Sequence, residues 1–483
     1  MQRKFFSNLV LMMVLNLLVK PIAIFGIDSG VQNRVGSEEY GLYFSLLNLA
    51  FLFNILMDLG INNFTTKSIA QHPKSVSKYI GKMMSFRLLL FFAYALITCI
   101  AGLLIGHGEY AFNLLVLLIL NQFFVVLIAY ARSHFSGLLY FKLDALFSVL
   151  DRIFLILICG SVFVFSTGDS AFQIEWFVWI QSICYLLTLL AAFYLLRKKI
   201  GRIKLKWNFP FSFAIIKQSF PYALLILLMM FYTRQDSIMI ERIHPNGAFE
   251  AGVYAQGFRL LDAFFMFGML FTSLLLPLFA QQIKDKLANI SLLRLSGKML
   301  ISIAILISFL CYHHAETILG WIYENDIEQS VQSFRWLILA FIGMSISLIF
   351  GTYLTAEGDM KFLNLIAFIG IIVNLALNLY LIPSRGAEGA AYATLATQSL
   401  TSLIQATWVV RKLGADRFYR FIVQLSLFAL LLWGIKYLTL ELSHNIWIDI
   451  IIGTALLMGL RIFNPKELVF LLKKEGKAAD REE

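Results

Sequence analysis

The sequence predicts an all-α integral membrane protein of about fourteen transmembrane helices. Three observations carry that reading. Apolar runs of roughly twenty residues, the length that crosses a hydrocarbon core about 30 Å thick, recur from Leu9 to Phe463. Charged residues make up only 14% of the 483 residues, where a soluble protein would carry roughly a quarter. Lysines and arginines gather in every second gap between the runs, as cytoplasmic loops do. A mean hydropathy of +0.78 agrees.

The expected spans are 8–28, 40–61, 83–105, 111–131, 146–166, 174–196, 214–243, 252–280, 299–320, 332–355, 362–382, 388–409, 419–440 and 446–463. The opening MQRKFF and the apolar run behind it resemble a signal peptide. No small-residue cleavage site follows, and Lys20-Pro21 interrupts the run, so this is expected to be an uncleaved first span. Thirty of the 40 lysines and arginines fall to one face of this topology, against Arg34, Arg242 and Arg385 on the other. Both termini are therefore expected in the cytoplasm. The same arithmetic accounts for the net charge of +11 without a nucleic-acid partner. Trp176, Trp179, Trp207, Trp321, Trp336 and Trp447 sit near span ends, where interfacial belts form.

Several chemistries are not supported. Cys99, Cys159, Cys184 and Cys311 are isolated in apolar runs, with no disulfide or zinc spacing. His313 and His314 are adjacent and point to different helix faces, so no metal site is expected there. Outer loops such as His107–Tyr110 and Pro383–Glu388 are too short for a folded catalytic segment, and no enzyme activity or cofactor is expected. After Pro465 a short amphipathic helix through Leu468, Phe470 and Leu472 is expected, ending in a solvated tail.

An internal repeat is visible. Glu39-Tyr40-Gly41-Leu42-Tyr43 opens the second span and Glu250-Ala251-Gly252-Val253-Tyr254 opens the eighth. Each follows a long span holding a proline and buried charge, which predicts two halves related by an axis along the membrane normal, with a site between them.

Charge at bilayer depth costs roughly 2.5–3.5 kcal/mol per group on insertion scales, so such residues mark candidate function. Lys20 comes about 18 Å along the first span. Arg234 and Asp236 lie in the seventh span; Arg259 and Asp262 lie in the eighth, three apart and able to neutralise each other. These groups are expected either to pin helices together or to line a vestibule with a carboxylate available for proton or cation coupling. Arg87 enters the third span by about a turn, where it either snorkels or rims the same cavity. Asp28, Asp58 and Glu175 are expected to cap or flank spans.

The ordered motifs carry a family resemblance. Tyr40-Gly41-Leu42-Tyr43 is followed by Asp58-Leu59-Gly60-Ile61, Pro221, Asp236, Gly252-Val253-Tyr254, Pro277, Asn374, Asn378, Pro383, Gly386 and Gly389-Ala390-Ala391. The set resembles the polysaccharide flippases (Wzx-like, or O-antigen translocases) of the multidrug/oligosaccharidyl-lipid/polysaccharide exporter superfamily. The resemblance implies six-helix lobes over 1–200 and 201–412 around a central cavity, two further helices within 413–465, and a cytoplasmic tail at 466–483. It implies a protein of the bacterial cytoplasmic membrane that flips undecaprenyl-diphosphate-linked oligosaccharide, with a polysaccharide polymerase as a possible partner. On this chain Lys20, Arg87, Arg234 and Arg259 fit the substrate-binding cations, and Asp236 and Asp262 the coupling carboxylates. A lipid II flippase or cation-coupled multidrug exporter of the same superfamily is the nearest alternative. An integral-membrane glycan ligase or polymerase is the alternative of another class.

Overall fold

The computed structural model describes residues 2–71, 76–165, 172–201, 205–284, 290–438 and 445–462, and every regular element among them is a helix. The first span is a helix, α1 (Gln2–Ile22), a π turn over Ala23–Asp28, and the start of α2 (Ser29–Leu52). Pro21 lacks the N–H that an α-helix requires, and a π turn beside it is a common accommodation. After Asn54–Met57 come α3 (Ile61–Gln71), α4 (Val76–Ile105), α5 (Glu109–Gly137), α6 (Phe141–Phe147), α7 (Leu150–Phe165) and α8 (Ile174–Ile200). The chain continues as α9 (Phe209–Ile243), α10 (Gly247–Lys284), α11 (Ile290–His313), α12 (Ala315–Gly320), α13 (Ile327–Glu357), α14 (Met360–Leu413), α15 (Tyr419–Leu438) and α16 (Ile446–Gly459).

Eleven helical stretches among the described residues are long and apolar enough to cross a membrane, and α16 is a shorter apolar helix. Two of the eleven, Met12–Leu52 and Met360–Leu413, contain a break where φ turns positive, at Gly36 (82°) and Gly386 (49°). Only glycine takes that conformation without cost. The first span therefore runs on to Val35, past its expected end at 28. The expected helix after Pro465 lies outside the described residues.

The chain forms two compact units. One comprises Met1–Ala263, Leu319–Phe334 and Met360–Thr397; the other comprises Phe264–Ile318, Arg335–Asp359 and Gln398–Glu483. In the second unit α15 and α16 pack on α11. Asp449 of α16 is buried there between Lys436 Nζ (2.6 Å) and His314 Nε2 (2.7 Å), which fastens the two last helices to the end of α11.

In the first unit the repeated motif does the same work twice. A Cβ on Gly41 would lie 1.9 Å from the Ala248 carbonyl oxygen; one on Gly252, 211 positions later, would lie 1.9 Å from that of Ser37, which is 211 before Ala248. Each backbone thus rests on the other through a small residue spaced four from a small residue, the pattern that lets membrane helices approach closely. Glu250 accepts from the Ala387 N–H (2.8 Å) at the start of the second arm of α14, and Glu39 holds the equivalent place 211 positions earlier. Tyr43 accepts from Gln181 of α8 (3.0 Å), and Tyr254 donates to Asp236 (3.0 Å), to which Thr394 of α14 also donates. Glu, Gly and Tyr hold equivalent places in both halves, so the parallel repeat is structural. Replacing Gly41 or Gly252 by alanine is expected to destabilise the protein by about 1–3 kcal/mol, as overpacking does, lowering the thermal midpoint in detergent; alanine at Gly108, where a Cβ meets nothing within 4 Å, is expected to be neutral.

Candidate functional site

Charged and amide side chains of α2, α4, α9, α10 and α14 converge within the first unit. Arg87 of α4 is fully buried. It donates to Asp58 (2.8 Å), Asn62 (3.1 Å) and the Val126 carbonyl (3.1 Å), and lies 4.6 Å above the Tyr130 ring. Asp58 also accepts from the Asn62 N–H (3.2 Å), so it both caps α3 and neutralises the arginine. Sealed in this way, Arg87 neither snorkels nor presents its charge to a cavity. Its position is that of a clamp on the Asp58-Leu59-Gly60 turn.

Arg234 and Arg259 are only partly buried, and each takes a partner the sequence did not suggest. Arg234 makes a two-pronged pair with Asp262 (2.9 and 3.2 Å) and reaches Asn48 of α2 at 3.4 Å. Arg259 lies 3.8 Å from Asp28 at the end of the π turn, and its Nε donates to the Tyr40 hydroxyl (3.2 Å). Asp262 therefore ties α10 to α9 and does not neutralise Arg259 one turn away on its own helix. Both guanidiniums lie over aromatic faces, Arg234 at 5.3 Å from Phe258 and Arg259 at 5.1 Å from Phe44, contacts that favour a cation.

Asp236, two residues beyond Arg234, faces the opposite way. It is 1% exposed and accepts from Asn378 (2.6 Å), the Tyr254 hydroxyl (3.0 Å) and the Thr394 hydroxyl. Among the described residues it has no cationic partner. Asn374 receives a bond from Asn378 (3.1 Å) and another from Gln235, while Asn378 Oδ1 is buried without any partner. A carboxylate held only by neutral donors at membrane depth is a place where a proton or a cation is at a premium. No group of three or more His, Cys, Asp or Glu suited to a metal ion occurs among the described residues.

Lys20 lies on α1 and pairs with neither of the carboxylates that hold the two arginines. The Gly36 break fixes one end of its helix, and Lys20 lies about 24 Å from it at 1.5 Å per residue. It is half-buried and, among the described residues, makes no hydrogen bond or ion pair. Sequence reasoning gave Asp28 and Asp58 as span-flanking groups and missed that each neutralises an arginine. The signal existed for Asp58, whose motif was recognised, but not for Asp28, whose position depends on the π turn.

The sequence profile of the family described as polysaccharide biosynthesis protein matches residues 6–283, more than half of the chain. The chain belongs to that family. The MatE profile matches residues 221–380. No curated protein matches this family member by sequence. Among solved structures it is similar to a lipid II flippase MurJ in an inward closed conformation, at a TM-score of 0.71 and 16% identity, covering 95% of this chain and 100% of that one. It is also similar to an inward-facing multidrug resistance MATE transporter (0.60, 13%; 84% and 98% covered). A transporter from Pyrococcus furiosus, whose title reports reversed polarity of its binding pocket, gives 0.59 at 12%, with 85% and 94% covered. This polysaccharide biosynthesis protein is thus a multi-pass membrane protein with the fold of the transporters and flippases of that superfamily.

Removing Arg87 leaves Asp58 with no counter-charge, and breaking a buried pair in this way typically costs about 3 kcal/mol or more. Arg87→Met is expected to lower the thermal midpoint in detergent markedly. Adding Asp58→Asn in the same chain is expected to restore part of the loss.

Proposed function

We propose that this protein flips undecaprenyl-diphosphate-linked oligosaccharide across the bacterial cytoplasmic membrane by alternating access, with both termini in the cytoplasm and about fourteen crossings. In this reading residues 1–200 and 201–412 act as the two lobes, with the helices of 413–465 beside them and 466–483 as a tail. The observation that carries it is the set of partly exposed cations at membrane depth, Lys20, Arg234 and Arg259, in a chain of the polysaccharide biosynthesis family. A polyprenyl tail stays in lipid throughout, so only the diphosphate and sugars need a polar path. Arginine binds phosphate oxygens bidentately and lysine binds as a point charge. Asp262 and Asp28 hold the two arginines until the head group arrives and competes for them.

Asp236 is the coupling carboxylate in this proposal, and Asp262, already paired, is not. A proton on Asp236 cancels its charge. So does a monovalent cation, for which the partnerless Asn378 Oδ1 and the Thr394 hydroxyl supply the oxygen ligands that hard cations take. Tyr254 links this carboxylate to the Gly252 crossing, so its charge state bears on the helix that must move.

A cation-coupled small-molecule exporter is the second reading, favoured by the MatE match over 221–380. Positive side chains along the path disfavour cationic drugs, which is why it ranks second.

In a strain lacking this protein, undecaprenyl-linked repeat units are expected to accumulate in the inner leaflet, and the wild-type chain to clear them. Lys20→Ala and Arg234→Ala are expected to fail to complement at normal expression. Full complementation by both variants contradicts the assignment of these cations. Asp236→Asn is expected to abolish stimulation by an imposed ion gradient, read as the rate of surface polysaccharide appearance.

A further inference from the structure

Three cations that topology alone would scatter are brought together beside the first helix. Asn16 and Lys20 are four apart on α1 and share a face. Asn16 Nδ2 donates to Ser148 Oγ at 2.9 Å, in the short break between α6 and α7. Arg152 is one turn further along α7 from that serine. Arg132 of α5 is drawn to the same place by Asp144 of α6, at 2.8 Å from its Nε. Arg152 and Arg132 are accordingly brought to the side of α1 that carries Lys20.

The donors in this cluster are under-used. Lys20 donates to nothing among the described residues. Among the described residues Arg132 spends only its Nε, on Asp144, and its terminal nitrogens have no acceptor. Arg152 has Asp151 at 3.5 Å as an ion pair but donates no hydrogen bond there. The side chains of Arg132 and Arg152 are 26% and 32% exposed. Asp144 and Asp151 sit with the arginines and Asp28 with Arg259, so no carboxylate among the described residues pairs with Lys20. A structural ion-pair network would use these donors. The Arg87 clamp, with both terminal nitrogens engaged, shows how the same fold does so when holding helices is the purpose.

We propose that Lys20, Arg132 and Arg152 form an anion site for the diphosphate of a polyprenyl-linked substrate, separate from Arg234 and Arg259. The proposal rests on the flippase reading and deepens it by naming the part of the substrate bound here and two residues that bind it. Two phosphoryl groups present enough oxygen to engage all three cations at once, with the guanidiniums binding as forks. A monophosphate reaches fewer of them. Asp144 and Asp151 hold the Nε edges and so keep the terminal nitrogens turned toward the ligand.

Binding to the purified full-length protein, read by native mass spectrometry in mild detergent, tests this directly. The probes are undecaprenyl diphosphate, undecaprenyl monophosphate, phosphatidylglycerol and, as competitor, inorganic pyrophosphate. The wild type is expected to prefer the diphosphate lipid over the other two by about tenfold or more, the worth of one charge-assisted hydrogen bond, and to release it to excess pyrophosphate. Lys20→Gln is expected to weaken it at least about tenfold, while Lys20→Arg retains most of it. Two charge-balanced variants, Arg152→Gln with Asp151→Asn and Arg132→Gln with Asp144→Asn, are expected to weaken it similarly at an unchanged thermal midpoint; either one suffices if the other misfolds. Wild-type affinity in a folded balanced variant, with loss only in Arg234→Gln, overturns this site and leaves the flippase reading standing. Equal binding of phosphatidylglycerol overturns it in favour of a lipid-annulus contact. A wild type that binds no diphosphate lipid sinks the site and the flippase reading together.

Discussion

Two helix backbones touch where Gly41 meets Ala248 and Gly252 meets Ser37, and much of the first unit is organised by that approach. Without side chains in the way, α2 and α10 come close enough for each helix's flanking residues to reach a third element. Glu250 ends on the free N–H group of a helix start, which lacks a partner inside its own helix. Tyr43 and Tyr254 reach inward to Gln181 and Asp236. In lipid no water is present to satisfy such groups, so each must be satisfied by protein. The duplication of the whole arrangement gives the fold its internal axis.

The same economy explains the distribution of charge. Arg87 is sealed, with both terminal nitrogens engaged on the turn it holds and on α5. Arg234 and Arg259 are paired yet partly open, with aromatic rings beneath them. Asp236 has neutral donors only. These are three answers to the cost of an ion in hydrocarbon, and they grade from structural to functional. In the proposed function the open cations serve the phosphate, and Asp236, without a cationic partner among the described residues, serves the coupling ion.

Much of this was legible in the sequence, because span length and loop charge report directly on the bilayer. The helix type and the repeat were readable from spacing. The first span was cut short at 28 because Ser29–Val35 is polar. In the structure that polarity is satisfied by protein, with Gln32 donating to the Gly252 carbonyl (2.9 Å) and Asn33 to that of Ile322 (3.1 Å). Pairing was harder. Arg259 and Asp262 satisfy the i, i+3 rule, but the π turn after Pro21 sets Asp28 beside Arg259, and Asp262 goes to Arg234. Counting Arg132 and Arg152 as loop charges hid that both sit inside helices, α5 and α7. Equivalent partners such as Gln181 and Asp236 differ in type, so only contacts reveal them.

The most direct measurement reconstitutes the purified protein in vesicles with an undecaprenyl-diphosphate-linked oligosaccharide and follows its sugar by the access of an added glycosidase. The account predicts protein-dependent transfer of the head group between leaflets while the tail stays in lipid. Vesicles that leave the oligosaccharide on its original face, yet transport a cationic dye, would contradict it.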